Sequence, residues 1–179
     1  MKEMIKLVSA SSQNMRNAVA ISKVLYDCRA QKINKFYDAI EQELKKDARL
    51  KITNDSRGEY SSLPTIHYIV RHIEELDLDI TFIIQIEDNL YAGFGVRKNG
   101  EYISAHSYSG NEIIQALFVD GEKLKIGWFI KWEYINFENE RINFKDFNDN
   151  YYKLFDSDKF NEIVERTVSK IRAMLDLLK

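Results

Sequence analysis

Apolar residues in the first quarter of the chain recur at helical spacing. After the capping side chains of Ser11–Asn14, a first stripe falls near one face of a helix: Met15, Ala18, Val19, Ser22 and Leu25. A second stripe repeats at i, i+3, i+4 and i+7: Ile33, Phe36, Tyr37, Ile40 and Leu44. The break between the stripes, near Cys28–Lys32, indicates either a bend or a rotation of the buried face. The pattern predicts helix through most of this quarter.

The next segment permits two interpretations. Arg49–Thr53 fits a short strand, and the polar residues Asn54–Ser62 fit a loop. Pro64 then suits the first turn of a helix. Apolar residues continue at helical spacing, which favours a helix over Thr65–Leu76: Ile66, Ile69, Val70, Ile73 and Leu76. The high β-branched content leaves a strand as the open alternative.

The middle of the chain alternates apolar and polar residues with the period of a β-strand. Ile80–Ile86 and Leu90–Val96 are separated by a turn-like Glu-Asp-Asn sequence. Asn99-Gly100 predicts a type I′ hairpin turn into Glu101–Ser107, because both central residues of that turn need positive φ. The three strands are predicted to form an antiparallel meander. Gly93 and Gly95 lie opposite its apolar face, which indicates close packing by a helix or a large aromatic side chain.

A further strand is predicted over Leu124–Ile135. On one face the alternation places Ile126, Trp128, Ile130, Trp132 and Tyr134, which is the composition of a core face. A binding surface is the alternative, since stacking platforms also combine aromatic with basic residues. The opposite face, with Lys125 and Lys131, is then available to an anionic partner.

The chain closes with a predicted helix over Asp158–Lys179. A short helix or turn is predicted at Asn111–Val119, before the strand over Leu124–Ile135. The apolar stripe of the closing helix comprises Phe160, Ile163, Val164, Val168, Ile171, Leu175 and Leu178. We expect it to pack on the sheet, with a second copy or a partner as the alternative. The predicted fold class is α+β: an antiparallel β-meander of about four strands, packed by N-terminal helices and a long C-terminal helix, in a single domain over residues 1–179.

Composition narrows the function classes. The 26 basic and 28 acidic residues give a net charge of −2, which argues against a basic nucleic-acid coat and against an acidic DNA mimic. Cys28 is the only cysteine, so no intramolecular disulfide forms, and its helical segment predicts a buried small hydrophobe. Apolar runs are too short for a membrane span. We expect a cytoplasmic protein without membrane association.

Motifs for catalysis, metal or cofactor binding are missing from the sequence. There is no G-x-S-x-G, no H-E-x-x-H and no glycine-rich phosphate loop, and His67 and His72 are spaced off a common helical face. Asp146, Asn148 and Asn150 imitate the start of a calcium loop, but the required glycine and glutamate are absent, which predicts a capped helix start instead. We expect no catalytic residue, no metal and no cofactor.

Three segments carry a family resemblance: Leu90–Phe94, Gly127–Trp132 and Ile142–Phe144 running into the final helix. From about Lys32 to the end, the chain resembles the C-terminal part of certain bacterial PD-(D/E)XK nuclease superfamily proteins. That superfamily catalyses with an Asp followed by Glu-x-Lys on adjacent strands. Here the Glu-x-Lys at Glu43 and Lys45 lies on a predicted helix, so the resemblance implies the accessory half without the catalytic half.

The sequence therefore favours a non-catalytic binding or regulatory module that acts through protein–protein contact. The resemblance places this module in a bacterial or phage nuclease-linked defence or counter-defence system. One alternative is a divergent metal-dependent nuclease or phosphoesterase. Its strand-borne carboxylates would be Glu87 and Asp88. Another is a nucleic-acid-binding accessory domain that uses Lys125 and Lys131. Another protein is the expected partner, while nucleic acid and a homo-oligomer remain open.

Overall fold

The structure is a computed structural model, which describes residues 2–55, 64–104, 107, 111–117 and 129–178. Along these residues the helices and strands follow in the order α1 Lys2–Ser9, α2 Ser12–Leu44, β1 Lys51–Asp55, β2 Thr65–Ile73, β3 Leu78–Ile86, β4 Leu90–Lys98, β5 Glu101–Ile103, α3 Glu112–Ala116, β6 Phe129–Tyr134, β7 Asn136–Phe137, β8 Glu140–Arg141, α4 Asp149–Lys153 and α5 Ser157–Leu175. One 3₁₀ turn, Glu74–Leu76, joins β2 to β3.

Six of the described strands form one antiparallel sheet in the order β1-β2-β3-β4-β5, with β6 also paired to β4. The β4 strand shares its second edge between two neighbours: β5 pairs with Val96–Lys98, and β6 pairs with the stretch from Tyr91 to Gly95. The predicted hairpin is confirmed, since Asn99 and Gly100 both have positive φ, 51° and 83°. The meander is thus larger than the four strands predicted from the sequence.

The predicted α+β fold class is confirmed by the core. On β3 and β4 alternate residues such as Phe82 and Phe94 are fully buried, and their rings meet edge to face at 5.1 Å. The second half of α2 and nearly all of α5 bury their apolar stripes in the same cluster. The α5 helix starts at the Asp156 cap, whose carboxylate accepts hydrogen bonds from two backbone amides. The closing helix, expected to pack on the sheet, completes the core of the domain itself, and its main contacts are with α2 and β7.

The α2 helix runs without interruption through 33 residues, including Cys28–Lys32. Its Ser11 cap accepts a hydrogen bond from the Asn14 amide at 3.1 Å, as the capping side chains predicted. At a rise of ~1.5 Å per residue the helix is about 50 Å long. Only residues from Ile33 onward are buried. The break between the two stripes therefore marks the point where the helix enters the core.

The favoured helix over Thr65–Leu76 is wrong, and the strand alternative is correct. Residues Thr65–Ile73 form β2, which pairs with β1 on one side and with β3 on the other. Pro64 does not open a helix. Its carbonyl accepts hydrogen bonds from the Tyr37 hydroxyl at 2.7 Å and from the Ile86 amide at 3.0 Å. The β-branched residues gain two strand neighbours here, which outweighs their helical spacing.

The predicted facing of the strand over Leu124–Ile135 is partly wrong. Ile130 is buried as expected, but the register with β4 shifts beside it, since Phe94 pairs with Lys131 and Gly95 with Phe129. Such a bulge reverses the alternation. Trp132 and Tyr134 consequently lie opposite Gly93 and Tyr91, on the sheet face away from the helices, and are only half-buried. Lys125, Ile126 and Trp128 lie outside the described residues.

A pH-dependent pair joins β2 to β3. His72 and Asp79 are direct cross-strand neighbours, and Nδ1 of His72 lies 2.9 Å from a carboxylate oxygen of Asp79. This hydrogen bond is the main cause that raises the pKa of His72. Because the folded-state pKa is raised, the stabilisation is present below the unfolded pKa of about 6.5 and is lost as pH rises through the folded value.

We expect NMR titration to give His72 a pKa above 6.5. The substitution Asp79→Asn should lower this pKa toward the ordinary value of a histidine. The matched control is Asp77→Asn, because Asp77 contributes only a weaker charge effect and asparagine tolerates its positive φ of 50°. A His72 pKa that is equally affected by both substitutions would contradict the assignment.

Candidate protein-docking surface

Glu87 and Asp88 lie in the turn between β3 and β4. A carboxylate oxygen of Asp88 is 3.2 Å from Nζ of Lys145, and the Asp88 carbonyl accepts a hydrogen bond from the Phe144 amide at 2.7 Å. Within the described ranges no group of three His, Cys, Asp or Glu side chains is arranged to hold a metal ion. Asp88 thus joins the β3–β4 turn to the segment after β8.

Lys131 lies in β6, half-buried and paired with Phe94, on the helix-covered side of the sheet. Lys125 lies outside the described residues, so the structure does not show the two lysines together. The other face of β6 carries half-buried rings that pack on Tyr91. The ring centroids of Phe129, Trp132 and Tyr134 lie 5.6, 5.8 and 6.2 Å from that of Tyr91.

This aromatic layer is packed rather than open. Trp132 and Tyr134 meet edge to face at 5.0 Å, and the Arg141 guanidinium lies 3.7 Å from the centroid of the Tyr134 ring. Burial raises the pKa of Tyr91 to about 12. The layer explains Gly93, because a Cβ there would lie 2.5 Å from Cβ of Trp132. The prediction of a large aromatic side chain over this glycine is confirmed.

His67 and the calcium-like sequence have structural roles. His67 lies on β2 and shares a hydrogen bond with the Tyr102 hydroxyl on β5, and burial raises the pKa of Tyr102. Asn148 caps α4, since its side-chain oxygen accepts hydrogen bonds from the amides of Tyr151 at 3.1 Å and Asn143 at 3.0 Å. The predicted capped helix start is confirmed.

Cys28 is exposed, so the prediction of a buried small hydrophobe is wrong. It lies in the first half of α2, which extends beyond the core. We call residues 2–32 the N-terminal arm: it comprises α1, the turn after it and the first part of α2. None of these 31 residues is buried. The helix continues past the core into solvent. A position in this helix therefore does not imply that the side chain, here that of Cys28, is buried.

The N-terminal arm concentrates the exposed apolar side chains of the described chain. Twelve large hydrophobic residues are exposed among the described residues. Nine of them belong to the arm: Met4, Ile5, Leu7, Met15, Val19, Ile21, Val24, Leu25 and Tyr26. Two more, Tyr152 and Phe155, lie beside α4. Scattered apolar side chains are normal on a surface, but nine within one exposed segment of 31 residues are typical of an interaction site.

The apolar side chains of α2 form two strips. Met15, Val19 and Tyr26 continue the line of the core-facing residues, and α1 packs near the start of this strip, where Asn14 donates a hydrogen bond to the Leu7 carbonyl at 2.8 Å. A second strip comprises Ile21, Leu25 and Cys28. Because an α-helix turns by ~100° per residue, this strip lies about 130° around the helix axis from the first.

The second strip borders a groove of about 370 Å³ between α2 and the α4 region. Its lining is almost wholly apolar: Leu25, Cys28, Phe147, Tyr151, Tyr152 and Phe155. Leu25 is 61% exposed and Tyr152 60%, so both walls present side chains to solvent. Burial raises the pKa of Tyr151, an effect that the nearby Arg29 charge opposes. The groove is an open, preformed apolar concavity.

Basic side chains border this groove. Nζ of Lys32 lies 4.5 Å from the centroid of the Phe155 ring, and Nζ of Lys35 lies 5.4 Å from that of Phe160. Burial, and then the Lys35 charge, lower the pKa of Lys32. Nε of Arg29 is shielded from solvent without a hydrogen-bond partner in the described part of the chain. A carboxylate placed here would stabilise the charged form of Lys32 and could accept a hydrogen bond from Arg29.

The sequence contained a signal for this surface in its charge distribution. The first 35 residues carry seven basic and two acidic side chains, a net charge of +5. Because the whole chain has −2, the remaining 144 residues carry −7. The charges are thus segregated along the chain, and a basic segment with apolar side chains on several helix faces is typical of an interaction element.

No protein-family model matches the chain, and neither a curated protein nor a solved structure matches it. Among the described residues no helix has the length and apolar character needed to cross a membrane.

Proposed function

We propose that the protein is a non-catalytic binding or regulatory module that acts through protein–protein contact, in a bacterial or phage nuclease-linked defence or counter-defence system. The observation that carries the binding role is the N-terminal arm. It presents nine large apolar side chains to solvent while the rest of α2 is anchored in the core. The link to nucleases rests on the resemblance of the chain from about Lys32 onward.

Energetics support a partner for the arm. Fully burying a large aliphatic side chain is worth ~1.5–3 kcal/mol, so covering even half of the nine would supply on the order of 10 kcal/mol before the cost of association. A rigid helix that presents these side chains loses little conformational freedom on binding. An anchored helix is therefore a suitable docking element.

The proposed function is tested by co-purification from the native host followed by mass spectrometry. We expect the double variant Ile21→Glu, Leu25→Glu to lose a protein that the unmodified chain retains, because two charges then interrupt the exposed apolar strip. Both side chains are exposed, so the melting temperature should stay within about 2 °C.

The matched control is Ala20→Glu, an exposed α2 position outside the apolar strips. It adds the same charge and should keep the co-purifying protein. An identical set of bound proteins for the double variant and the unmodified chain would refute the docking role of the arm.

A further inference from the structure

We propose that the groove between α2 and the α4 region binds an amphipathic helix of a partner protein. The apolar face of that helix would lie against Leu25, Cys28 and Tyr152, with its carboxylates beside Lys32 and Lys35. The inference rests on the proposed function and names the chemistry of the partner.

The lining of the groove favours a helix over an extended segment. Neither wall is a strand edge, since α2 forms one side and the residues around α4 the other. An extended peptide in this apolar lining would leave its backbone amides and carbonyls without partners, whereas a helix satisfies them internally. On α2, Ile21, Leu25 and Cys28 follow at i, i+4 and i+7, which forms a straight ridge for helix packing.

The charges favour acidic residues on the partner. Lys32 and Lys35 stand beside the groove with their ammonium groups over aromatic rings rather than in ion pairs with described carboxylates. Two charged groups of the α4 region are engaged within the protein, because Asp156 caps α5 and Lys153 pairs with Glu138. Complementary charges steer association and reject partners of like sign.

The charge and the shape of the groove disfavour two other occupants, a second copy of the chain and a membrane surface. A symmetric contact between the arms of two copies would bring one +5 segment against another, which like-charge repulsion opposes. An anionic membrane surface contacts one side of a helix, but the two apolar strips of α2 lie about 130° apart and the groove is concave. A helix inserted between two walls fits this shape.

Cys28 gives a direct measurement of occupancy, because it is the only cysteine, is exposed and lines the groove. The probes are two peptides of about 18 residues, long enough to span the strip as helices, with leucines at i, i+4, i+7 and i+11. One carries glutamates at the remaining positions and the other carries lysines. The rate of reaction of Cys28 with the thiol reagent DTNB is followed while peptide is added.

We expect the acidic peptide to slow the reaction of Cys28 at concentrations about tenfold below those at which the basic peptide does. Lys32→Met together with Lys35→Met keeps the apolar stems and should bring the two peptides to nearly equal protection. A control thiol, Ala20→Cys in a Cys28→Ser background, should react at the same rate with and without peptide, since position 20 lies off the groove.

Several outcomes would overturn the proposal. These are equal or absent protection by the two peptides, protection that grows with protein concentration alone, and protection by phosphatidylserine vesicles in place of peptide. The second would indicate a second copy and the third a membrane surface. If the Ile21→Glu, Leu25→Glu variant still loses its co-purifying protein, these outcomes refute the partner chemistry and leave the proposed function standing.

Discussion

Ending the chain after Asp156 will give a protein that does not fold. The deletion removes α5, which buries seven large apolar side chains: Phe160, Ile163, Val164, Val168, Ile171, Met174 and Leu175. At ~1.5–3 kcal/mol for each side chain, the loss is on the order of 10 kcal/mol or more, which equals the whole stability of a typical domain. We expect insoluble protein, or soluble protein without a cooperative thermal transition in circular dichroism.

A deletion of equal length at the other end is the matched control. Both deletions remove 23 residues, but residues 2–23 contain no buried side chain. A chain that begins at Val24 should therefore keep its cooperative transition and lose only the first part of the N-terminal arm. If the chain without α5 melts cooperatively, α5 is a docked appendage and the description of the core is wrong.

Replacing Gly93 with alanine will destabilise the protein by about 3 kcal/mol, the upper part of the range for overpacking a dense site. The new Cβ would lie 2.4 Å from the carbonyl oxygen of Lys131 and 2.8 Å from Cδ1 of Phe129. Backbone on the neighbouring strand cannot yield as a flexible side chain can, so β6 must move away from β4. A fall of roughly 10 °C in Tm is the expected readout.

Gly100→Asn provides the comparison for Gly93→Ala. A Cβ at Gly100 meets nothing closer than an Arg97 guanidinium nitrogen at 3.8 Å, and asparagine accepts the positive φ of a type I′ turn. The expected loss is below about 1 kcal/mol. If Gly93→Ala is as mild as Gly100→Asn, the approach of β6 over Gly93 is looser than described.

The parts of the fold that local pattern predicted are those whose partners are close in sequence. The alternation of Ile80–Ile86 and Leu90–Val96 specifies a hairpin with its own short turn, and Asn99-Gly100 specifies the next one. The stripe of α5 is regular over five turns, so its helical state and its buried face both followed from the sequence.

The two errors in the sheet have a nonlocal cause. Residues Thr65–Ile73 have enough apolar positions to fit either period, and pairing with β1 and β3 decides between them. In β6 the alternation is real, but a bulge beside Ile130 reverses the facing of Trp132. A bulge depends on the partner strand, which periodicity does not contain.

The docking surface could be predicted only in part. The spacing of Met15, Val19 and Leu25 correctly indicated a helix, but it does not say whether anything covers that helix. Coverage depends on where the sheet ends relative to α2, which is a tertiary distance. The net charge of +5 over the first 35 residues was available in the sequence and points to the exposed segment.

Because α2 runs unbroken from the core into the N-terminal arm, it fixes the orientation of any bound partner relative to the sheet. Inserting one residue after Ala30 would turn the Leu25–Cys28 strip by about 100°, away from Tyr151, Tyr152 and Phe155 on the other wall of the groove. Inserting seven would restore its direction to within ~20° and displace it by about 10 Å along the axis. The continuity of α2 therefore holds Leu25 and Cys28 in register with the residues around α4 that form the other wall of the groove.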